Sequence, residues 1–127
     1  MKVLFEKHES EEMFHDALCN GLSEISIHGL KIDYSDDDYK KAKDKLSTDE
    51  FSAVYYDVLM QILKDGNKLK LVDEEGDNSW SITLGDVHGR MSNVDFKHLV
   101  DMSYGNDDAV TADVIIQTIF INDVMYG

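Results

Sequence analysis

The 127 residues carry 26 acidic side chains against 12 basic ones, a net charge of −14, with 43% hydrophobic residues, no proline and a single cysteine. A chain of this length is expected to form one globular domain, 1–127, able to bury a core of its own, and its apolar content argues against disorder. The charge argues against nucleic-acid binding, which relies on Lys and Arg neutralising phosphates, and against an anionic membrane surface; Cys19 alone forms no internal disulfide and no zinc ribbon.

The opening stretch, "MKVLFEKHESEE", turns acidic after a short apolar patch and lacks the apolar core and small-residue cleavage site of a signal peptide. No apolar run approaches the ~20 residues of a membrane span. The expected location is therefore cytoplasmic. The acids are spread along the chain: residues 1–50 hold 13 acids and 7 bases, and residues 51–127 hold 13 and 5.

In chain order, residues 1–5 read as an edge strand, and Ser10 as the cap of a helix over 11–20 that Gly21 stops. In "EISIHGLKIDY", Ile25 and Ile27, then Leu30, Ile32 and Tyr34, alternate about His28-Gly29, which predicts a hairpin. Ser35 followed by Asp38 predicts a capped helix with lysines at its far end. Ser47 with Glu50 predicts the start of the next. There Phe51, Val54, Tyr55, Val58, Leu59, Ile62 and Leu63 fall on one helical face, and Asp65-Gly66 ends it.

Two alternating runs follow, with Leu69 and Leu71 in the first and Trp80, Ile82 and Leu84 in the second. The loop 74–78 joins them as a hairpin. Ser92 with Asp95 suggests a capped helix over Val94, Phe96, Leu99 and Val100 that ends near Gly105. The last segment, 111–124, is apolar on two sides. Ala112, Ile115, Ile116 and Ile119 form one group; Val110, Val114, Ile121 and Val124 form the other. It reads as a helix needing cover on most sides, although its β-branched content also suits a central strand. The expected fold class is α+β: a helix-rich single domain with one or two small antiparallel β-hairpins packed on helices.

One motif carries chemistry on its face. Ser81–Leu84 leads into Gly85-Asp86-Val87-His88-Gly89. That pentapeptide resembles the Gly-Asp-x-His-Gly opening of the calcineurin-like metallophosphoesterases. The resemblance implies that Asp86 and His88 hold one ion of a two-metal centre at the end of a strand. It covers five residues. A two-metal centre needs several more ligands and a bridging carboxylate. After Gly89 the chain offers only His98 and no second Gly-Asp element, and Gly105-Asn106-Asp107-Asp108 lacks the histidine of the family's Gly-Asn-His motif. The plainer expectation is that Gly85 leaves the strand, Asp86 caps a short helix, and Val87 and Met91 pack inward.

Glu12, His15 and Cys19 share a helical face, and Glu12-x-x-His15 has the spacing of carboxylate-bridged di-iron helices. Those sites use a second such pair, which this sequence lacks. The plainer expectation is that His15 is exposed or hydrogen-bonded and that Cys19 packs as a small buried hydrophobe; nucleophilic catalysis by Cys19, with His15 one turn away, needs an orienting Asp or Asn that the sequence does not assign. The acidic loop Asp73–Asn78 could attract calcium but lacks the EF-hand alternation and its closing Glu. Trp80, Tyr55, Tyr56 and Tyr104 could stack on bases, but the charge is wrong for that role.

No catalytic constellation is complete in the sequence, and no metal or cofactor is expected. The expected function is that of a non-enzymatic accessory or interaction protein. Self-association, as a dimer through Val110, Val114, Ile121 and Val124, would cover the second apolar side of the last helix. The alternative is an acidic inhibitor or nucleic-acid-mimicking decoy of a basic partner protein, of the kind phages and mobile elements encode. A third expectation is a metal-dependent hydrolase using Asp86 and His88.

Overall fold

In a computed structural model, which describes residues 4–103 and 109–126, the chain folds around its last helix. Six α-helices are present among the described residues: α1 (Lys7–Ile27), α2 (Asp36–Leu46), α3 (Tyr55–Lys64), α4 (Leu84–Arg90), α5 (Phe96–Ser103) and α6 (Ala109–Ile121). Three strands, β1 (Leu30–Asp33), β2 (Leu69–Asp73) and β3 (Ser79–Ile82), form one antiparallel sheet in the order β1-β2-β3. The expected class, a helix-rich α+β domain with one or two small antiparallel hairpins packed on helices, is the observed one, with one hairpin, β2–β3, extended by β1 into a three-stranded sheet. No described helix is long and apolar enough to cross a membrane.

Helix α1 is twice as long as its capping signals suggest. It starts early because Glu6 and Glu9 form a reciprocal capping box. It also runs straight through Gly21. Phe14, Leu18, Gly21 and Ile25 fall on one buried stripe, at offsets of 4, 7 and 11 that belong to a helix. The alternation of Ile25 and Ile27 is therefore not a strand pattern: Ile25 is buried and Ile27 is exposed. The predicted hairpin at His28-Gly29 is instead a helix-to-strand turn. Gly29 adopts a left-handed φ of 79° there, which an L side chain rarely takes. Strand β1 finds its partner in β2, with Leu30 opposite Asp73 and Ile32 opposite Leu71. As for the predicted edge strand, residues 1–3 lie outside the described residues, and residues 4–6 have no regular structure.

Helix α3 begins four residues later than its apolar spacing predicts. The Ser47 hydroxyl accepts the N–H of Ala53, and the Thr48 hydroxyl accepts that of Glu50. These bonds hold 47–53 in an irregular turn, so Ser47 caps a loop rather than a helix. Phe51 and Val54 leave the core as a result and are 63% and 56% exposed. Helix α2 matches its predicted charge gradient, with Asp36–Asp38 in the first turn and Lys43 and Lys45 in the last, although the Ser35 hydroxyl makes no capping bond. Before α5, Asp95 itself caps the chain: its carboxylate accepts the Lys97 N–H at 3.2 Å. Ser92 lies in a 3-10 turn, Met91–Asn93. The predicted stop at Gly105 lies outside the described residues.

Helix α6 is the centre of the molecule. Its packing on α1 is the most extensive between any two described elements, and α4, α5, β3 and the 3-10 turn close over its other sides. Ala112, Ile115, Ile116 and Ile119 are fully buried. The second side, offered above as a self-association surface, is covered in part by the same chain: Val114 and Ile121 are half-buried against the core. Val110 remains 54% exposed, and Val124, beyond the helix end, 47%. Most of the helix's apolar surface is thus covered within the chain, and Val110 and Val124 are left open. Arg90, from α4, donates to the carbonyls of Ile119 and Phe120, placing a cation at the negative end of the α6 dipole.

Candidate functional site

The Gly85–Gly89 motif lies inside α4, not on a loop after a strand. Thr83 is the N-cap, and Thr83 and Asp86 form a capping box in which the Asp86 carboxylate accepts the Thr83 N–H at 2.9 Å. His88 turns elsewhere: its Nε2 lies 2.9 Å from Glu11 Oε2 on α1. The two side chains of the phosphoesterase-like motif thus serve different partners. Val87 and Met91 pack into the core, as expected. Among the described residues, no group of three or more His, Cys, Asp or Glu side chains is placed to hold a metal ion.

The face of α1 that carries Glu12, His15 and Cys19 meets α3. There the fold supplies what the sequence alone leaves open, an orienting carboxylate. His15 Nε2 lies 2.7 Å from Asp57 Oδ1, and His15 Nδ1 lies 3.9 Å from Cys19 Sγ. The chain thiol–imidazole–carboxylate has the order of a nucleophilic triad. Its electrostatics run the other way. Cys19 is exposed rather than buried; desolvation by the neighbouring side chains, then the negative charges of Asp16 and Asp57, hold its thiol above its ordinary range, whereas a reactive cysteine needs an environment that favours the thiolate. Cys19 also sits in the interior of α1, where backbone N–H groups are consumed by the helix rather than turned outward as oxyanion donors. Alkylation of Cys19 by iodoacetamide at pH 7.5 is therefore expected to be slower than that of an unstructured cysteine peptide. The rate should keep climbing with pH through the range where the peptide has levelled off. Asp57→Asn should speed the reaction. A rate at or above that of the peptide would contradict this reading of the thiol.

What the same face does build is a groove of about 600 Å³ between α1, α3 and the 47–54 turn. Its apolar lining is Leu46, Phe51, Ala53, Val54 and Met60. Its rim is acidic, with Glu11, Glu12, Asp16 and Asp57 against a single lysine, Lys64. His8 and His15 complete the α1 side. The groove exists because Ser47 and Thr48 hold Phe51 and Val54 out of α3. Sequence spacing, which assigns those two residues to a core face, conceals it.

A second constellation, also hidden in the sequence, is polar and buried. On α6, Gln117 donates from Nε2 to Asp113 Oδ1 at 2.8 Å and to the Tyr126 carbonyl at 3.0 Å. Its Oε1 accepts the N–H groups of Met125 and Tyr126. His28 Nε2 lies 3.0 Å from the other Asp113 oxygen. The Tyr126 hydroxyl donates to Asp73 Oδ2 at 2.7 Å, while Asp73 Oδ1 accepts the N–H groups of Glu75 and Gly76. The Tyr126 bond, followed by the Gly76 and Glu75 amides, outweighs burial and holds the Asp73 carboxyl below its usual range. Asp73 is therefore turned inward, on the same strand face as Leu69 and Leu71, and the loop considered for calcium is an Asx-type turn. The network ties the segment after α6 to α1 and to the hairpin tip.

The aromatic residues are taken up by packing. Tyr34 stacks on Tyr39 at 4.9 Å, Tyr55 lies against both and against Tyr56, and Trp80 meets Tyr126 edge-on. Tyr104 lies outside the described residues. Of all these clusters, only the α1–α3 groove combines open volume, exposed apolar side chains and one-sided charge. Compared with protein-family models, with curated proteins and with solved structures, the chain matches none.

Proposed function

We propose that this chain is a non-enzymatic, cytoplasmic interaction protein that docks a basic partner protein on its acidic surface, with the α1–α3 groove as the principal contact. The observation that carries the proposal is the pairing of exposed Phe51 and Val54 with a rim of four carboxylates and one lysine. Burial of the apolar pair supplies affinity. The carboxylates steer a cationic partner and repel acidic competitors. The acids of the hairpin tip are a poorer candidate, because Lys31 and Lys70 lie among Asp33, Asp73, Glu74 and Asp77.

A fluorescent oligolysine of about 20 residues provides the test at 50 mM and 500 mM salt, since screening weakens exposed charge pairs as the Debye length shortens. Wild type should bind at low salt and release at high salt. Glu12→Lys with Asp16→Lys should weaken binding at least tenfold. Glu74→Lys with Asp77→Lys, an equal change in net charge at the hairpin tip, should change it less than twofold. Equal losses in the two variants would remove the groove from the proposal, and failure of wild type to bind would remove the proposal itself.

Self-association is the second reading. Its remaining support is the exposure of Val110 and Val124. Light scattering decides it: a dimer at micromolar concentration that Val110→Lys dissociates would favour it, and a monomer would end it.

A further inference from the structure

We infer that the element the groove takes from its partner is a basic amphipathic α-helix, seated with its apolar face on Phe51, Val54 and Met60 and its cations over Glu12 and Asp16; this rests on the reading of the groove as the docking surface. Three observations select that occupant. The first is the nature of the walls. They are two helices, α1 and α3, and the 47–54 turn that leads into α3; beyond their first turns the helices bond their N–H groups within themselves, and the turn spends the Ala53 N–H on Ser47. An extended peptide binds by adding to a sheet edge and needs unpaired backbone groups to do so. This groove offers side chains, and a helix, which satisfies its own backbone, is the segment that binds through side chains alone.

The second is size. About 600 Å³ is room for a few large side chains, not for the body of a folded domain. Such a volume suits apolar anchors projecting from one helical face at i, i+3, i+4 and i+7. The third is charge. Glu11 and Asp57 lie within hydrogen-bond distance of His88 and His15, whereas Glu12 and Asp16 stand on the exposed side of α1, one helical turn apart, Asp16 with a longer 3.7 Å contact to His15 Nδ1. Lysines or arginines spaced a turn apart on the incoming helix would meet them in register. A second copy of this chain is a poor occupant, because a molecule of net charge −14 brings further acids to an acidic rim.

The test uses two 18-residue peptides of identical composition, built from Lys, Leu and Ala. In one, leucines recur at i, i+3, i+4 and i+7 so that a single apolar face forms; in the other the order is scrambled. Fluorescence anisotropy against the full chain at 150 mM salt should favour the amphipathic peptide by at least tenfold. Phe51→Asp with Val54→Asp should erase that preference, bringing the two peptides to within twofold of each other, since the added acids act alike on two peptides of one composition. Both residues are exposed, and circular dichroism checks that the variant stays folded. If the two peptides bind equally, the helix assignment fails while the acidic docking surface stands. If neither peptide nor oligolysine binds, the docking surface fails with it. If the preference survives in the Phe51→Asp, Val54→Asp variant, the helix sits elsewhere and the inference is overturned.

Discussion

Gln117→Leu is expected to lower the unfolding free energy by about 2–4 kcal/mol and to detach residues 124–126, because one buried amide satisfies four groups at once. Gln117 is fully buried, and each of its polar atoms is used: the nitrogen by the Asp113 carboxylate and the Tyr126 carbonyl, the oxygen by the Met125 and Tyr126 N–H groups. Leucine fills nearly the same volume, so no cavity arises and the loss reports hydrogen bonding. It leaves the buried Asp113 carboxylate with His28 as its remaining described partner, and removing a donor from a buried charge costs more than the bond itself contributes. Urea unfolding measures the stability change. Trp80, the only tryptophan, reports the detachment, because the Tyr126 ring lies 6.5 Å from it. An unchanged midpoint with unchanged Trp80 emission would refute the clamp. The same network has an acid arm. A carboxyl held low in the folded state contributes stability above its unfolded value, about 3.9 for Asp, and loses it as pH falls through the folded value. Tyr126→Phe removes the first cause of the Asp73 depression, so acid unfolding below pH ~4 should become less steep.

Gly21→Val should cost about 3 kcal/mol or more, a large share of the ~5–15 kcal/mol that holds a domain of this size. A Cβ at Gly21 would stand 2.8 Å from Ile116 Cδ1, 2.9 Å from Ala112 Cβ and 3.1 Å from the Ala112 carbonyl carbon. The Ile116 methyl could rotate aside. Ala112 cannot, since its Cβ and carbonyl are fixed by the backbone of α6, so the two helices would have to part along their most extensive contact. Glycine costs α1 about 1 kcal/mol of helix propensity relative to alanine, and the close approach to α6 offsets it. Urea unfolding followed by far-ultraviolet circular dichroism gives the result. A variant as stable as wild type would mean that the α1–α6 spacing can relax, and that Gly21 has no packing role.

By itself the sequence determined the fold class, the β2–β3 hairpin, the charge gradient of α2, the stop of α3 at Asp65-Gly66 and the inward packing of Val87 and Met91. These follow from local rules: alternation, dipole complementarity, turn chemistry and an apolar period within one element. Only the tertiary structure decided the rest, wherever a long-range contact overrode a local signal. Gly21 looks like a helix stop and is a contact point, because Ala112 and Ile116 of α6 arrive from more than ~90 residues along the chain. Phe51 and Val54 look like core and are surface, because two hydroxyl groups hold the preceding turn out of the helix. Asp57 gives no sign in the sequence of meeting His15, nor Glu11 of meeting His88. Asp113 and Gln117, polar residues in the greasiest stretch of the chain, make sense only when the tail returns to them. A charge count shows that the surface is acidic; where those charges border an open apolar groove depends on which helices lie side by side, and that is set by packing between elements far apart in sequence.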